Sequence, residues 1–363
     1  MSSPEDEKGR VLAAMSGGVD SAVAAARLVD AGYEVVGVTF HLWDYPDDQP
    51  EKSRCCAPED AHDARLVSDH LGIAHYTFDR REMFAEQVVA PFVDAYLEGA
   101  TPSPCVWCNR SVKMRELFVL ADRLGAAKVA TGHYARIEGK GNATRLLRAR
   151  DRRKDQSYFL HMLRADELDR VLLPLGDDDK DTVRQDAIAR DLPGATKGES
   201  QELCFVAEKS YADFVEARAD GRVRPGPIVD DGGRVLGQHE GVHRFTVGQR
   251  RGLGVALGRP AFVRRIEEDR VVVTDAGGAS SAGARLEAGA WAADVRFPLR
   301  AGVKVRARQE PVPARIDEGG RRVRFAEPIR AVAPGQYAVA YDGDRVLGGA
   351  TIAEALAHVG PEP

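Results

Sequence analysis

A glycine-rich loop near the start of the chain carries the first residues suited to chemistry. Ser16-Gly-Gly-Val-Asp-Ser21 follows an apolar run, residues 10–15, and precedes an alanine-rich helical pattern. Two glycines let a backbone turn sharply and approach a ligand closely. Successive N–H groups at a helix N-terminus favour an anion. The hydroxyls of Ser16 and Ser21 add donors, and the Asp20 carboxylate suits a magnesium ion that bridges phosphates. We therefore predict a polyphosphate site with Mg²⁺ at Asp20.

Two better-known phosphate loops do not fit this string. No Gly-Lys-Ser/Thr follows, so it is not a P-loop of the Walker type. The glycine spacing also differs from the dinucleotide fingerprint. The string resembles the PP-loop of the N-type ATP pyrophosphatases, which holds the pyrophosphate of ATP while a substrate carbonyl oxygen attacks the α-phosphate. That superfamily includes NAD and GMP synthetases and several tRNA thiolases, so the loop alone does not select a member.

The five cysteines, Cys55, Cys56, Cys105, Cys108 and Cys204, are the second group that could do chemistry. Their odd number in a long chain argues against a structural disulfide framework and favours reactive thiols or a metal site. Cys108 ends a turn-rich stretch before a helical pattern at 112–124, so we expect it near a helix N-terminus. The helix dipole and Arg110 would lower its thiol pKa there. Cys204 is remote in sequence and suited to carry a persulfide or to form a disulfide with Cys108. Buried, inert cysteines are the alternative.

Composition limits the class of protein. The chain has 363 residues, 44% of them apolar and 29% charged, as in a soluble globular protein. It has no run of about 20 apolar residues and no apolar signal core at its start, so we expect a cytoplasmic protein without a membrane segment. The net charge of −5 requires any RNA contact to come from local patches. Such patches are six basic residues within 145–154 and, near the end, Arg306, Arg308, Arg321, Arg322 and Arg324.

The order of apolar patterns predicts three domains. Strands at 10–15, 34–40, 73–78 and 128–131 alternate with helical patterns that end at Gly32 and Gly72, which favours an α/β fold with a doubly wound parallel sheet over residues 1–209. Short β-branched runs separated by Gly and Pro predict a small middle domain over 210–283. Strands only, at 304–308, 323–325 and 336–341, predict a C-terminal β-barrel over 284–363.

Blocks along nearly the whole chain resemble the MnmA/TrmU family of tRNA 2-thiouridylases. They span nearly the whole chain and stand in the family's order. The blocks are Cys55-Cys56 with Glu59-Asp60 and Asp63-Ala-Arg65, Thr131-Gly-His-Tyr-Ala-Arg136, Lys154-Asp-Gln-Ser-Tyr-Phe-Leu160, Pro174-Leu-Gly176, Phe245-Thr-Val-Gly-Gln-Arg-Arg-Gly-Leu-Gly254, Val305-Arg-Ala-Arg-Gln309 and Pro334-Gly-Gln-Tyr337.

The resemblance implies roles for particular residues. Cys108 corresponds to the nucleophile and Cys204 to the persulfide-bearing cysteine. The ATP contacts correspond to Ala14, Met15, Ser16, Gly17, Gly18, Val19, Asp20, Ser21, Phe40 and Gly132. Ser103, Pro104 and Cys105 correspond to the segment that meets the target base. The tRNA contacts correspond to His133, Lys154, Asp155, Gln156, Arg306, Ala307 and Gln336, where Ala307 is smaller than the family residue.

Cys105 departs from the family pattern, because many members carry an aspartate there with a proposed acid/base role. The thiol creates a Cys-x-x-Cys, and with Cys204 a third ligand is at hand. Related thiolases hold a 4Fe-4S cluster with three cysteines, and thiolates are natural ligands for such a cluster. Two mechanisms therefore stay open: persulfide transfer with a resolving disulfide between Cys108 and Cys204, and sulfide carried on a cluster at Cys105, Cys108 and Cys204.

The implied fold and reaction follow from the family. They are an adenine nucleotide alpha hydrolase-like PP-loop domain, a small mixed middle domain and a C-terminal β-barrel, with ATP and Mg²⁺ as cofactors and tRNA as partner. The implied activity is 2-thiolation of the wobble uridine through an adenylated base, with release of AMP and pyrophosphate. A cysteine desulfurase or a sulfur-relay protein would supply sulfur to a monomeric enzyme. Another PP-loop ligase and a catalytically silent RNA-binding protein are the rival hypotheses.

Overall fold

The computed structural model describes residues 8–44, 58–196, 203–206, 210–255 and 258–357. Cys55 and Cys56 lie outside the described residues. The chain divides into two compact units. The first comprises Met1–Val88, Cys105–Ala207 and Asp344–Val346, and the second Val89–Pro104, Glu208–Gly343 and Leu347–Pro363. Division of the chain into three domains at 209/210 and 283/284 stays a prediction.

The described strands, numbered in chain order, follow. They are β1 (Lys8–Ala14), β2 (Tyr33–His41), β3 (Ala74–Asp79), β4 (Lys128–Ala130), β5 (Ala135–Glu138), β6 (Arg145–Arg148), β7 (Val171–Leu172), β8 (Gly226–Asp230), β9 (Val235–His239), β10 (Phe262–Glu267), β11 (Arg270–Thr274), β12 (Ser280–Trp291), β13 (Leu299–Lys304), β14 (Val312–Ile316), β15 (Arg322–Arg330), β16 (Tyr337–Asp342) and β17 (Arg345–Leu356).

The described helices are numbered in the same way. They are α1 (Val19–Asp30), α2 (Pro58–Leu71), α3 (Arg81–Phe84), α4 (Ala90–Leu97), α5 (Pro104–Trp107), α6 (Met114–Leu124), α7 (Ser157–Leu160), α8 (Ala165–Leu168), α9 (Lys180–Ala189) and α10 (Tyr211–Ala217). Two π-helical segments, Ala85–Val89 and Cys108–Lys113, join α3 to α4 and α5 to α6.

The sheet of the first unit is parallel, with the strand order β3-β2-β1-β4-β7. β1 lies in its interior, where Leu12 pairs with Val36 on one side and Val129 on the other. Leu12 is fully buried, as expected for a strand covered on both faces. Val23 and Ala25 of α1 belong to one core cluster with Val11 and Ala13 of β1. The predicted doubly wound parallel sheet is confirmed.

The strand order places a switch point beside β1. From β1 the chain crosses to β2 through α1, whereas β4 lies on the opposite side of β1. In open parallel sheets, the crevice at such a point, outside the carboxyl ends of the strands, is where ligands bind. The residues that follow Ala14 and Ala130 therefore emerge at one edge of the sheet, next to each other.

The middle part of the chain forms a small mixed sheet with the order β10-β11-β8-β9, in which only the β11–β8 pair is parallel. Val271, Ile228 and Phe245 belong to its core. The predicted small mixed domain is confirmed. One of the short β-branched runs of this part, residues 243–247, forms no strand, because Val242–Arg244 form a 3₁₀ turn.

The last part of the chain forms a six-stranded barrel. The order β12-β15-β14-β13-β16-β17 is closed by pairing of β12 with β17, which leaves no open edge. Val303 of β13, Ile316 of β14 and Val323 of β15 are fully buried in the core of the barrel. The predicted β-barrel is confirmed. A strand over 304–308 is wrong, because β13 ends at Lys304 and the Gln309 N–H donates to the Arg306 carbonyl in a turn.

Among the described helices, none combines the length and the apolar character that crossing a bilayer requires.

The buried His161 generates a prediction about pH. Its Nδ1 lies 2.7 Å from the Tyr158 carbonyl oxygen, so Nδ1 carries the proton and donates. Burial lowers the pKa of His161 to about 4, from the ordinary histidine value of about 6.5. Between pH 6.5 and 4, His161 therefore binds a proton in the unfolded chain but stays neutral in the folded chain. The free energy of unfolding falls as pH falls through that window.

We predict that acidification to pH 4 reduces the free energy of unfolding by about 3 kcal/mol through this residue. The imidazole pKa, measured by NMR, should lie near 4 in the folded protein. His161→Gln should reduce the pH dependence of unfolding between pH 6.5 and 4. A folded-state pKa of 6 or higher for His161 would contradict this expectation.

Candidate functional site

The loop between β1 and α1 has the local geometry that its sequence predicts. The Met15 N–H donates to the Val38 carbonyl, which continues the sheet by one residue, and α1 begins at Val19. Gly18 occupies the N-cap position with an extended backbone and no side-chain cap. The first N–H groups of α1 are therefore not taken by a capping side chain, which is the arrangement that favours an anion.

The serine hydroxyls partly stabilise this loop. The Ser21 hydroxyl donates to the Gly18 carbonyl at 2.9 Å and accepts from the Ser16 N–H at 3.1 Å. The Ser16 and Ser21 hydroxyl oxygens are 3.3 Å apart. Ser21 thus holds the turn, and Ser16 is the better placed hydroxyl to meet a ligand.

Gly17 has a backbone conformation and a close neighbour that exclude a side chain. Its φ of +69° lies in the left-handed region, and a Cβ at this position would lie 2.5 Å from the Asp60 carbonyl oxygen at the start of α2. Any side chain would be strained by both the backbone angle and this contact.

Gly132 brings the loop after β4 against the first turn of α1. A Cβ on Gly132 would lie 2.9 Å from the carbonyl carbon of Asp20 and 2.9 Å from the Ser21 nitrogen. Two backbones can approach this closely only where a side chain is absent. Gly132, which the resemblance assigns to ATP, therefore lies directly beside the glycine-rich loop, at the switch point of the sheet.

His133 follows at the same edge and is neutral at physiological pH. Its Nδ1 lies 2.8 Å from the Thr131 hydroxyl. Burial of the imidazole, followed by the positive charge of Lys113, lowers the pKa of His133 to about 3. His133 can accept or donate a hydrogen bond to RNA, but it does not supply a positive charge.

Two residues that the sequence reasoning missed hold Asp20. The Tyr134 hydroxyl donates to Asp20 Oδ1 at 2.7 Å, and the Lys180 ammonium donates to the same oxygen at 2.6 Å. Lys180 is the first residue of α9, and its side chain is buried. The sequence contains one signal for this contact. A lysine at a helix N-terminus interacts unfavourably with the helix dipole, so a nearby negative charge is expected to compensate.

Met15 and Phe40 are apolar residues at the carboxyl edge of the parallel sheet. Both are buried, Met15 at the end of β1 and Phe40 near the end of β2 beside it. Their side chains face the interior, so contact of Phe40 with a nucleotide would involve its backbone.

The helix that carries Cys108 begins earlier than predicted. The sequence placed its start at about Val112, whereas helical structure begins at Pro104 and continues through α5, the π-helical segment and α6. Cys105 lies in the first turn and is exposed, and Cys108 follows at the start of the π-helical segment and is buried. The dipole argument therefore applies to Cys105 more directly than to Cys108. Arg110, expected to add positive charge, is paired with Glu167 at 2.5 Å.

Cys204 is fixed by its neighbour. Phe205 is 2% exposed, and its ring packs edge-to-face on Phe84 and Trp43, with ring centroids 5.6 and 6.4 Å apart. Trp43 follows the end of β2, so Cys204 is held near the carboxyl edge of the sheet and is itself partly exposed. The segment Cys108–Lys113 contacts α3, the helix that contains Phe84. Both thiols therefore belong to the same region of the first unit.

The cluster alternative requires three thiolates around one metal centre. Among the residues that the structure describes, no group of three His, Cys, Asp or Glu side chains is placed to hold a metal ion. A role of Cys105, Cys108 and Cys204 as ligands of a 4Fe-4S cluster stays a prediction.

Residues 154–156 form a tightly tethered turn. The Asp155 carboxylate is 1% exposed and accepts from Arg148 Nε and from the N–H groups of Ala149 and Ser157. Gln156 exchanges two 2.8 Å hydrogen bonds with the backbone of Tyr134. Asp155 thus orders the turn from inside, and a direct contact of its side chain with RNA stays a prediction that this burial does not favour.

The basic patch at 145–154 is more balanced than its composition indicates. Arg150 pairs with Asp177, Arg152 with Asp344 and Arg153 with Asp151. Two of these carboxylates are distant in sequence, which the local pattern cannot reveal. The guanidinium groups of Arg150 and Arg153 are exposed, and ion pairs at the surface are weak, so phosphates can still compete for these groups.

In the second unit, Gln336 anchors the segment that precedes Ser103. Its amide donates to the carbonyls of Thr101 and Pro102 at 2.9 and 3.1 Å. Ser103 and Pro104 are buried, whereas Arg306 is exposed and Ala307 partly exposed in the turn after β13. The roles of these residues toward RNA stay predictions.

The contact at Gly132 generates a prediction. We expect Gly132→Ala to lower the affinity for MgATP at least tenfold, about 1.4 kcal/mol, because the added methyl group would displace the first turn of α1. Isothermal titration with MgATP measures this effect. Gly9→Ala is the matched control, since nothing lies within 4 Å of its Cβ position. Unchanged affinity in folded Gly132→Ala protein would rule out this packing as a requirement for nucleotide binding.

Comparison with known families extends over most of the chain. Residues 9–208 match a family model described as the tRNA methyl transferase HUP domain. Residues 212–275 match a tRNA methyl transferase PRC-barrel domain, and residues 282–352 match an aminomethyltransferase beta-barrel domain.

Similar proteins share one name, tRNA-specific 2-thiouridylase MnmA. The protein of Sorangium cellulosum is 64% identical over 359 residues, which cover 96% of this chain and 93% of the relative. The protein of Chloroflexus aurantiacus is 46% identical, covering 94% and 98% of the two chains. That of Moorella thermoacetica is 44% identical, covering 96% and 100%. The chain belongs to the MnmA family of tRNA-specific 2-thiouridylases.

Proposed function

We propose that this protein uses ATP to replace O2 of a tRNA uridine with sulfur, as a tRNA-uridine 2-sulfurtransferase. One observation carries the proposal: the glycine-rich loop and Gly132 meet backbone to backbone at the switch point of the sheet. That contact supports an anion site at this edge of the sheet, and Cys108 and Cys204 belong to the same unit of the chain. A PP-loop ligase of another kind would have no use for these thiols.

The first step activates the base. The loop residues 16–21 bind the β- and γ-phosphates of ATP through backbone N–H groups, and Asp20 is suited to hold Mg²⁺ that neutralises the phosphates. The uridine O2 attacks the α-phosphate, the bond between the α- and β-phosphates breaks, and pyrophosphate leaves. The base then carries AMP on O2, which turns a poor leaving group into a good one.

The second step transfers sulfur. The terminal sulfur of a persulfide on Cys204 attacks C2 of the base, and AMP leaves with the former O2. The Cys108 thiolate then attacks the inner sulfur of Cys204. The persulfide S–S bond breaks, the outer sulfur stays on C2, and a Cys108–Cys204 disulfide forms. An external thiol reductant returns both cysteines to thiols by supplying two electrons.

The remaining parts of the proposal concern partners. The wobble uridine of tRNA is the proposed target, and a cysteine desulfurase or a sulfur-relay protein is the proposed donor. His133, Lys154, Gln156, Arg306, Ala307 and Gln336 are the proposed RNA contacts, in a monomeric cytoplasmic enzyme. Exposed Arg150 and Arg153 next to Lys154 support this surface, because guanidinium groups bind phosphates well.

The two thiols can be separated from the adenylation step. We predict that Cys108→Ser and Cys204→Ser each reduce formation of 2-thiouridine at least 1000-fold, while tRNA-dependent release of pyrophosphate stays within about threefold of the native rate. Nucleoside mass spectrometry measures the first quantity and a coupled pyrophosphate assay the second.

Retained thiolation by Cys108→Ser would reject the proposed role of this residue. Native protein that turns over ATP without forming 2-thiouridine would be another PP-loop ligase. Pyrophosphate release that does not depend on tRNA would count against the RNA as the activated substrate. A protein that releases no pyrophosphate under any condition would be the silent RNA-binding protein.

Cys105 distinguishes the persulfide route from a cluster. Cys105→Asp introduces the residue that many family members carry, and under the persulfide route we predict thiolation within about threefold of the native rate. The measurement is made on anaerobically purified protein together with its iron content. A loss of more than tenfold, accompanied by loss of bound iron, would instead support the 4Fe-4S alternative.

A further inference from the structure

Lys180 is a buried cation whose partner is the acid of the nucleotide loop. Its side chain is 8% exposed, and its ammonium lies 2.6 Å from Asp20 Oδ1. Burial of an ammonium is costly unless it is paired, and its place at the start of α9 opposes the helix dipole. The ion pair with Asp20 compensates for this unfavourable position.

Tyr134 holds the same oxygen from a second direction. Its hydroxyl donates to Asp20 Oδ1 at 2.7 Å, and its ring lies under the Lys180 ammonium, 5.9 Å from Nζ to the centroid. Within the described parts of the chain, no hydrogen bond reaches Asp20 Oδ2, and the Asp20 side chain is 34% exposed. Two donors on one oxygen fix the carboxylate and leave the other oxygen available to a metal ion.

Both holders of Asp20 are tied to the turn at 151–156. The backbone N–H of Lys180 donates to the Asp151 carboxylate. The Tyr134 N–H donates to Gln156 Oε1, and the Gln156 N–H donates to the Tyr134 carbonyl, each at 2.8 Å. One turn with proposed RNA contacts is thus connected twice to the carboxylate that faces ATP.

We propose that Lys180 and Tyr134 are positioning residues that couple RNA binding at the 151–156 turn to binding of MgATP through Asp20. The inference rests on the proposed function, since it requires that RNA and ATP bind this chain together. RNA bound to the 151–156 turn would hold Tyr134 and the start of α9 in place. Tyr134 and Lys180 would then hold Asp20 in position for the metal-bound phosphates. By linkage, MgATP would then strengthen RNA binding by the same factor.

The test is a binding cycle with the full chain. The affinity for an unmodified tRNA transcript is measured with and without Mg²⁺ and α,β-methylene-ATP, which cannot react at the α-phosphate. The variants are Lys180→Met, which keeps the length of the side chain, and Tyr134→Phe, which removes only the hydroxyl. Lys140→Met, an exposed lysine in the β5–β6 turn, is the control.

We expect the nucleotide to raise tRNA affinity at least fivefold in the native protein and in Lys140→Met. In Lys180→Met the factor should fall below twofold, and in Tyr134→Phe it should lie between. The tRNA affinity without nucleotide should change less than threefold. Tyr134→Phe alone decides the case if Lys180→Met does not fold.

Native-like coupling in both folded variants would overturn the inference, as would parallel loss of both affinities with unchanged coupling, the mark of a purely structural role. Failure of the proposed function is distinguishable. In that case the native protein itself would release no pyrophosphate in response to tRNA.

Discussion

The close approach of two backbones at the switch point is the constraint on which the rest of the site depends. The loop after β4 touches the first turn of α1, and Gly132 makes this possible because any Cβ would meet Asp20 and Ser21. The parallel order β2-β1-β4 produces the approach, since it brings two strand ends to one edge. The helix N-terminus then supplies N–H groups to a phosphate without a capping side chain.

The polar groups around this contact are organised by remote parts of the chain. Asp20 is held by Tyr134 and by Lys180, which is 160 residues away in sequence. Phe205 places Cys204 by packing on Phe84 and Trp43, which lie after strands of the same sheet. The site therefore combines a local motif, which binds the anion, with side chains that only the tertiary fold assembles. Burial gives these contacts their strength, because few water molecules compete for the charged groups.

The sequence predicted the sheet, the loop and the barrel because each depends on a local pattern. It placed the helix start at Val112 instead of Pro104, since the prolines and cysteines of 101–110 resemble turn signals and a π-helical segment has no clear periodicity. It overestimated the free charge of 145–154 because Asp344, the partner of Arg152, lies 192 residues away. Lys180 was missed for the same reason, since its partner is identified by space and not by spacing.

The central claim is that ATP bound at the glycine-rich loop, residues 16–21, adenylates O2 of a uridine in tRNA. Transfer of an oxygen label tests it most directly, with a tRNA transcript that carries ¹⁸O at uridine O2, together with ATP and a persulfide donor. The account predicts one ¹⁸O atom in AMP for each 2-thiouridine formed, because the bond between C2 and O2 breaks after adenylation. Thiolation with no ¹⁸O in AMP would contradict it.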